Sequence, residues 1–557
     1  MLGMYVAVWL APKLGYWASV PIAAASVAAC GVLIEVLLLR RIYKAPELLQ
    51  LLATFALVLI VRDFALWAWG PEDMLGPRAP GFAGAVSILG SRFPAYELLL
   101  IGVGPIVFGC LHFGLTRTRW GILVRAATED REMAGALGVN QRWLFTAVFA
   151  LGSLLAGIGG ALAVPREPAS LAIDLAAISD AFVVVVIGGL GSIPGAFLAA
   201  LLIGEVKAFC IGLGYSKITL AVEFIVMALV LMVRPWGLLG RPLLLQRTGA
   251  VESPLPRLGA RGWLAFGIAI ALLAALPLAT GGYTLILLTD VLVFALFAAS
   301  LHFMMGPGGL VSFGHAAYFG LGAYGAGLLL LHWHLPMEAS LVLGPLLALL
   351  GALVFGWFCV RLSGVYLAML TLAFAQIVWS IALQWDSLTG GSNGLIGVWP
   401  AEWLGSKTAY YYLALIVCAG AAALLWRALE APFGFALRAA RDSPLRADAI
   451  GIDVRRTQWM AFALAGAFAG IAGSLYAFSK GSISPEVLGV PRSVDALVMV
   501  LLGGVQTLTG PVWGAGVFTW LEDSLARDFN YWRAAIGSVV LLLVLAVPRG
   551  IAGTFKR

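Results

Sequence analysis

The sequence predicts an all-α polytopic membrane protein built from two tandem parallel repeats of about 8 and 10 helices. Hydrophobic residues make up 61% of its 557 residues and charged residues only 11%, a balance far outside that of soluble domains. Apolar runs of ~20 residues, long enough to cross a hydrocarbon core, recur between short breaks that carry Gly, Pro and charge. One polar stretch also occurs twice, which indicates a duplication.

The duplicated stretch is a polar island between apolar segments. It reads GILVRAATEDREMAGALGVN at Gly121–Asn140 and GFALRAARDSPLRADAIGID at Gly434–Asp453, a constant offset of 313 residues (434 − 121) without a gap. Two shorter matches follow, between 187–196 and 502–511 and between 234–237 and 547–550. Each island is therefore predicted to be a structured loop between membrane helices, and the repeat implies a pseudo-two-fold axis along the membrane normal.

The first repeat is predicted to span 1–240. It opens with the apolar stretch Met1–Leu10, whose residues Leu2–Tyr5 align with Leu321–Tyr324, so the first repeat has no counterpart of roughly 263–320. Its further predicted helices lie at about 19–40, 48–69, 97–115, 143–164, 178–190, 195–212 and 218–233.

The second repeat is predicted to span 262–557. Its predicted helices lie at about 263–278, 284–305, 311–331, 341–361, 365–385, 410–426, 459–478, 493–503, 512–525 and 534–547. Three prolines and four arginines in 241–261 predict a linker between the repeats.

Arginine placement predicts the orientation. Both islands are rich in arginine, so the positive-inside rule places them, the linker and the C-terminus in the cytoplasm. The loops at 70–96 and 386–408 carry little excess positive charge and are predicted to lie outside. The net charge of +7 is thus explained by short loops facing one side of a lipid bilayer, and no nucleic-acid partner is expected.

The first island contains Glu132, Ala134 and Gly138 at a spacing that suits a docking helix. Small alanines allow two helical surfaces to approach closely, and a glycine can turn the chain out of the helix. A charged residue such as Arg125 can form the polar rim around the contact. The second island keeps Arg438, Ala447 and Gly451, but Leu445 replaces the glutamate. The alternative is an ordinary amphipathic loop helix with solvated arginines, and the occurrence of two islands at matched positions favours docking.

These islands resemble the E-A-A-x-x-x-G loop by which permeases of ABC importers dock onto their ATPases. The segments 308–320, 388–395 and 438–451 look like one of the two permease subunits of branched-chain amino acid (LIV-type) ABC importers. The segments 125–138, 188–195 and 234–240 are similar to the other subunit. The chain therefore resembles a natural fusion of both permeases, with the first lacking its N-terminal helices.

The resemblance implies an ABC importer permease fold in a bacterial inner membrane. It also implies two ABC ATPase subunits on separate chains and a periplasmic substrate-binding protein as partners. None of the seven lysines follows a glycine, so the chain has no phosphate-binding P-loop of its own. The substrate implied is a branched-chain or other small amino acid, with urea or a short-chain amide as the alternative within the family. We expect no catalytic residues, cofactor or metal.

Polar residues inside apolar segments are the candidates for the substrate path, since such residues are costly in a membrane and often functional. The candidates are Ser312, His315 and Tyr318 near the break at Gly308-Gly309, together with Thr371 and Gln376. For each residue alone, an interhelical hydrogen bond worth ~0.6–2 kcal/mol is the competing interpretation.

Two other classes of function were weighed. An ion-coupled secondary transporter would need buried carboxylates at equivalent positions of both repeats, and the sequence shows none. The carboxylates of Asp63 and Glu205 are expected to pair locally, with Arg62 and Lys207. A membrane-embedded enzyme would need a metal or nucleophile cluster, and the five cysteines have no ligand spacing.

Overall fold

The computed structural model describes residues 1–43, 45, 47–88, 90–241, 260–507, 509–546 and 550–554. Most of the predicted linker 241–261, the match at 547–549 and the Lys556-Arg557 end lie outside these ranges. In the described part, 12 helices are long and apolar enough to cross a membrane. The chain is therefore a multi-pass membrane protein made almost entirely of α-helix.

The first repeat contains eleven α-helices and one short antiparallel strand pair in the residues described. The elements in order are α1 Leu2–Leu14, α2 Tyr16–Ile34, a π-helical turn Glu35–Leu39, α3 Arg40–Ile42, α4 Glu47–Trp69, β1 Ala85–Ile88, β2 Ser91–Pro94, α5 Ala95–Arg117, α6 Arg119–Glu129, α7 Arg131–Ala136, α8 Gln141–Ala163, α9 Ile173–Gly188, α10 Ile193–Gly212 and α11 Thr219–Val233.

The second repeat continues with fourteen α-helices and a second antiparallel pair, β3 with β4, again counted over the described ranges. The elements are α12 Ala260–Ala275, α13 Gly282–Met305, α14 Ala316–Leu331, α15 Met337–Cys359, α16 Gly364–Gln384, α17 Asp386–Thr389, β3 Leu395–Val398, α18 Lys407–Glu430, α19 Pro432–Asp442, α20 Pro444–Ala449, α21 Val454–Lys480, β4 Gly481–Ile483, α22 Val490–Gly503, α23 Gly510–Asp528, α24 Trp532–Ala546 and α25 Ile551–Thr554.

The predicted membrane helices are confirmed to within several residues, with one correction. The sequence predicted one helix over 311–331, but α14 begins only at Ala316. The chain leaves the helix at Gly306, and Gly309 adopts a left-handed conformation with φ 65°. A residue with positive φ cannot continue an α-helix, so 306–315 forms a non-helical break between α13 and α14.

Matched glycine contacts show the repeat in the structure. In the first repeat α1 packs on α2 and α8, and in the second α14 packs on α15 and α21. A Cβ added at Gly3 would lie 2.6 Å from the carbonyl oxygen of Gly157, and one added at Gly322 would lie 2.2 Å from that of Gly470. Only glycine permits these helices to approach so closely, as is common for helix pairs in membranes.

The packing divides the chain into two compact units. One comprises Met1–Ala200 with Tyr531–Ser538, and the other comprises Leu201–Asn530 with Val539–Arg557. The unit boundary falls inside α10 rather than at the end of the first sequence repeat, and α11 packs on α16 of the second unit. The compact units divide the chain at a different place from the sequence repeats, whose bounds at 1–240 and 262–557 stay a prediction.

Candidate coupling loops and the buried polar break

The first island folds into two short helices joined by one extended residue. That residue is Asp130, whose side chain accepts a hydrogen bond from the backbone N–H of Met133 at 2.9 Å and so caps α7. After α7 the chain turns at Gly138, with φ 86°. Asn140 then caps α8 by accepting from the N–H of Trp143 at 3.2 Å. Capped helix starts and a left-handed glycine fix the loop in one conformation.

The second island has the same backbone plan at the same offset. Its helices α19 and α20 begin and end 313 residues (432 − 119) after α6 and α7. The glycine turn recurs at Gly451 with φ 88°. Asp453 caps the following helix through the N–H of Arg456 at 2.9 Å. We call the loops 119–140 and 432–453 the first and second coupling loops.

The predicted alanines of both loops face inward. Ala134 is buried with Ala127 and Leu144, and Ala447 is buried at the equivalent position. These alanines let the short helix pack against the start of the next membrane helix. They stabilise the loop and do not form its outer surface.

The outer surface of each loop carries an exposed aliphatic side chain just before the glycine turn. Leu137 is 79% exposed, and Ile450 at the matched position is 74% exposed. Glu132 is exposed in the first loop, and Leu445 takes its place in the second with 86% exposure. An exposed apolar side chain at the same point of two loops, next to polar residues, has the composition of a docking surface.

The two predicted arginines differ in their surroundings. Arg125 is exposed on α6. Arg438 is partly buried. Its guanidinium donates to the carbonyl oxygens of Gly434 at 3.2 Å and Leu429 at 2.5 Å. A cation bound to the last carbonyls of a helix satisfies acceptors that have no partner within that helix. Arg438 thus fastens the second loop to the end of α18.

The break at 306–315 brings together most of the predicted path residues. Ser312, His315, Tyr318 and Thr371 are all buried. The Thr371 hydroxyl accepts from the backbone N–H of Phe313 at 3.2 Å. Two polar atoms, Ser312 Oγ and His315 Nδ1, are buried without a hydrogen-bond partner. The structure therefore places a polar cluster where a helix is interrupted within the apolar region.

Two serines that the sequence interpretation missed complete this cluster. The Ser300 hydroxyl lies 2.8 Å from His315 Nε2. The Ser493 hydroxyl accepts from the backbone N–H of Ala316 at 2.9 Å. Ser300 lies inside an apolar helix, so the rule that identified Ser312 could have found it. Ser493 lies in the first turn of α22 beside Arg492, and that rule does not select it. Gln376 lies further along α16 and is half-buried, and it does not join these hydrogen bonds.

The expected local pairs of the membrane carboxylates are wrong. Lys207 Nζ pairs with Glu223 Oε2 at 2.5 Å rather than with Glu205. The Asp63 carboxylate accepts from the backbone N–H of Ala534 at 2.7 Å rather than from Arg62. Residues one or two positions apart on a helix point in different directions, so sequence neighbours could not form these pairs.

In the described ranges, no group of three or more His, Cys, Asp or Glu residues is placed so that it could hold a metal ion. The loops present exposed aliphatic side chains, and the break holds buried polar groups. They are suited to binding and conformational change.

Comparison with known proteins agrees with this arrangement. The sequence matches the family described as "Branched-chain amino acid transport system / permease component" over residues 1–233 and again over 283–547. It is 28% identical over 315 residues to the high-affinity branched-chain amino acid transport system permease protein LivM of Escherichia coli K12, covering 51% of this chain and 74% of LivM. No solved structure matches it.

Two further relatives carry related names. The permease protein BraD of Pseudomonas aeruginosa is 30% identical over 218 residues, which cover 38% of this chain and 71% of BraD. The permease protein LivH of Escherichia coli K12 is 26% identical over 238 residues, which cover 42% of this chain and 76% of LivH. Two matches to the family in tandem show that the chain belongs to the permease components of branched-chain amino acid transport systems and contains two permease units.

Proposed function

We propose that this chain is the transmembrane subunit of an ATP-driven importer, with both coupling loops and the C-terminus in the cytoplasm of a bacterial cell. The two coupling loops, which share one backbone and one exposed aliphatic position, carry this proposal. Two ATPase subunits would need such a pair of matched docking surfaces. The chain performs no covalent chemistry, and ATP is hydrolysed on the partner chains.

Each ATPase docks on a coupling loop through the aliphatic residue before the glycine turn. Leu137 and Ile450 are the anchors, because a fully desolvated apolar side chain at the centre of a small interface supplies much of its binding energy. Glu132 and Arg125 form the polar rim of the first interface.

The buried break forms part of the substrate path. Ser312 Oγ and His315 Nδ1 have no protein partner, and a buried polar group without a partner is unfavourable by ~1–3 kcal/mol. A passing amino acid or water molecule satisfies these groups during transport. Tyr318, Thr371 and Gln376 are further path residues on α14 and α16.

Branched-chain amino acids are the proposed substrates, delivered by a periplasmic binding protein. This choice rests on the relatives, whose names all specify branched-chain amino acid transport. The mechanism is alternating access, in which ATP-driven movement of both loops opens the path first to one side of the membrane and then to the other.

The test is co-purification of the tagged chain with co-expressed ATPases, followed by ATP-driven leucine uptake in proteoliposomes to which the periplasmic binding protein is added. We expect the double variant L137D/I450D to lose both the ATPases and the uptake, because a carboxylate cannot be desolvated in an apolar contact. The matched control L137I/I450L keeps the apolar surface and retains both. Uptake that follows an ion gradient without any ATPase would contradict the proposal.

A further inference from the structure

The second coupling loop is attached directly to the broken segment. Arg441, on the last turn of α19, donates from Nη1 to the carbonyl oxygen of Gly306 at 2.9 Å. Gly306 is the first residue after α13. The bond therefore joins a loop on the surface to the point where a membrane helix ends.

The stem of Arg441 packs against the same segment. A Cβ added at Gly309 would lie 2.6 Å from Arg441 Cγ, so only glycine leaves room for this side chain. The fully buried Leu437, one turn earlier on α19, lies next to Gly308. The turn 306–309 thus receives a hydrogen bond from Arg441 and apolar contacts from the same helix.

Asp442 orients the guanidinium. Arg441 Nη2 lies 2.9 Å from Asp442 Oδ1, and Nε donates to the same oxygen at 2.9 Å. The Arg441 side chain is only 20% exposed, whereas that of Asp442 is 60% exposed. A partly buried arginine that bridges a carboxylate and a helix-end carbonyl is a charge-assisted contact of defined geometry.

The far end of the broken segment holds the path residues. Between Gly306 and Ala316 the chain passes Ser312 and His315, whose side chains retain unpartnered polar atoms. The helices α13 and α22 are also tied here, since His302 Nε2 lies 2.7 Å from the carbonyl oxygen of Val505, just after α22. The 306–309 turn is therefore separated from Ser312 and His315 by only a few residues of non-helical chain.

We propose that Arg441 is the positioning residue that transmits movement of the second coupling loop to the broken segment 306–315. This inference rests on the proposed function, because it takes the loop to be moved by an ATPase. The hydrogen bond from Arg441 to the carbonyl oxygen of Gly306 then links ATP hydrolysis to the rearrangement of Ser312 and His315.

The test uses the full complex of the chain with its ATPases and compares R441A with R441K and with the control R446A. Arg446 lies on the same loop, is exposed, and bonds only within the loop, to Ser443 Oγ at 3.2 Å. ATPase co-purification, ATP hydrolysis, leucine uptake and hydrogen exchange of peptides covering 306–315 are measured on each variant, with and without ATP and vanadate.

We expect R441A to keep the ATPases and their hydrolysis but to transport about tenfold less leucine per ATP, the effect of losing one charge-assisted hydrogen bond. Trapping with ATP and vanadate should change exchange in 306–315 in the wild type and in R446A, but not in R441A. R441K should recover part of both effects, since an ammonium can still donate to Gly306.

Two results separate this inference from the proposed function. If the wild type binds no ATPase, the proposed function fails. Suppose instead that the ATPases bind, that hydrogen exchange in 306–315 changes in R441A as in the wild type, and that R441A transports as much leucine per ATP. Only the role of Arg441 then fails. Loss of ATPase binding in R441A would make Arg441 a docking residue and would also overturn the inference.

Discussion

The two coupling loops have one backbone and two different attachments. In the first loop, the guanidinium of Arg131 lies over the ring of Phe145, with 4.8 Å between guanidinium carbon and ring centroid, and near that of Tyr43 at 5.6 Å. In the second loop, Arg441 bonds to the carbonyl oxygen of Gly306. Pro444 aligns with Arg131 and Thr128 with Arg441, so neither attachment is possible in the other loop.

The repeat thus preserves the loop backbone and the exposed aliphatic position, while the side chains that attach each loop have diverged. Tyr43 donates to Glu35 Oε1 at 3.3 Å, and Glu35 opens the π-helical turn that continues α2. The first loop is therefore linked to a distorted helix, and π-turns are frequent at functional sites. The second loop is linked to a broken helix. The first loop thus reaches an irregular helix through Tyr43, and the second contacts a broken helix directly at Gly306.

The largest loss of stability is expected from a change in the close packing of α14 on α21, the helix that follows the second loop. Gly322→Leu would force a side chain into the backbone of Gly470, which should prevent normal packing of α14 on α21, a change that costs several kcal/mol. The measurement is the yield of monodisperse protein in detergent and its thermal unfolding. Gly420→Leu is the matched control, because nothing lies within 4 Å of a Cβ at that position. Equal stability of the two variants would contradict the packing described.

A smaller effect is expected from Glu35→Gln in the first unit. Glu35 is fully buried and accepts from Thr146 at 2.6 Å and from Arg40 at 3.2 Å. Removing its charge should destabilise the protein by ~1.5–3 kcal/mol, the worth of a hydrogen bond to a charged group. Thermal unfolding measures this loss, and ATP-driven uptake should persist. If Glu35→Gln abolished uptake in a stably folded protein, Glu35 would take part directly in transport.

The smallest effect is expected from Arg131→Ala in the first loop. A cation over an aromatic ring at an accessible site contributes ~0.5–1 kcal/mol, so uptake per ATP should fall only about two- to fivefold. Arg131→Lys keeps the charge and should recover part of the loss. A loss as large as that expected for Arg441→Ala would mean that both loops transmit movement with equal strength.

Local rules were sufficient to predict the loops. The constant offset identified them, and the polar residues Asp130, Asn140 and Asp453 with the glycines at 138 and 451 define their boundaries in the structure. The rule that polar residues inside apolar segments are often functional selected Ser312, His315 and Thr371, and all three lie buried at the break in the structure.

Long-range partners could not be predicted. Ser300 and Ser493 meet the break from helices that lie 15 and 177 residues away from their partners in sequence. The bond between Arg441 and Gly306 spans 135 residues. Lys207 was expected to pair with Glu205 because the two are close in sequence, but a helix turns them apart. Which side chains meet is determined by helix packing, and a single sequence does not specify that packing.

The central claim is that both loops contact ATPases on separate chains. The most direct measurement places a photo-crosslinking amino acid at position 137, at position 450 or, as a control, at exposed Trp403 in the segment predicted to face outward. We expect a crosslink from positions 137 and 450 to a co-expressed ATPase, and none from position 403. Crosslinks from neither loop, in a complex that still imports leucine with ATP, would contradict the account.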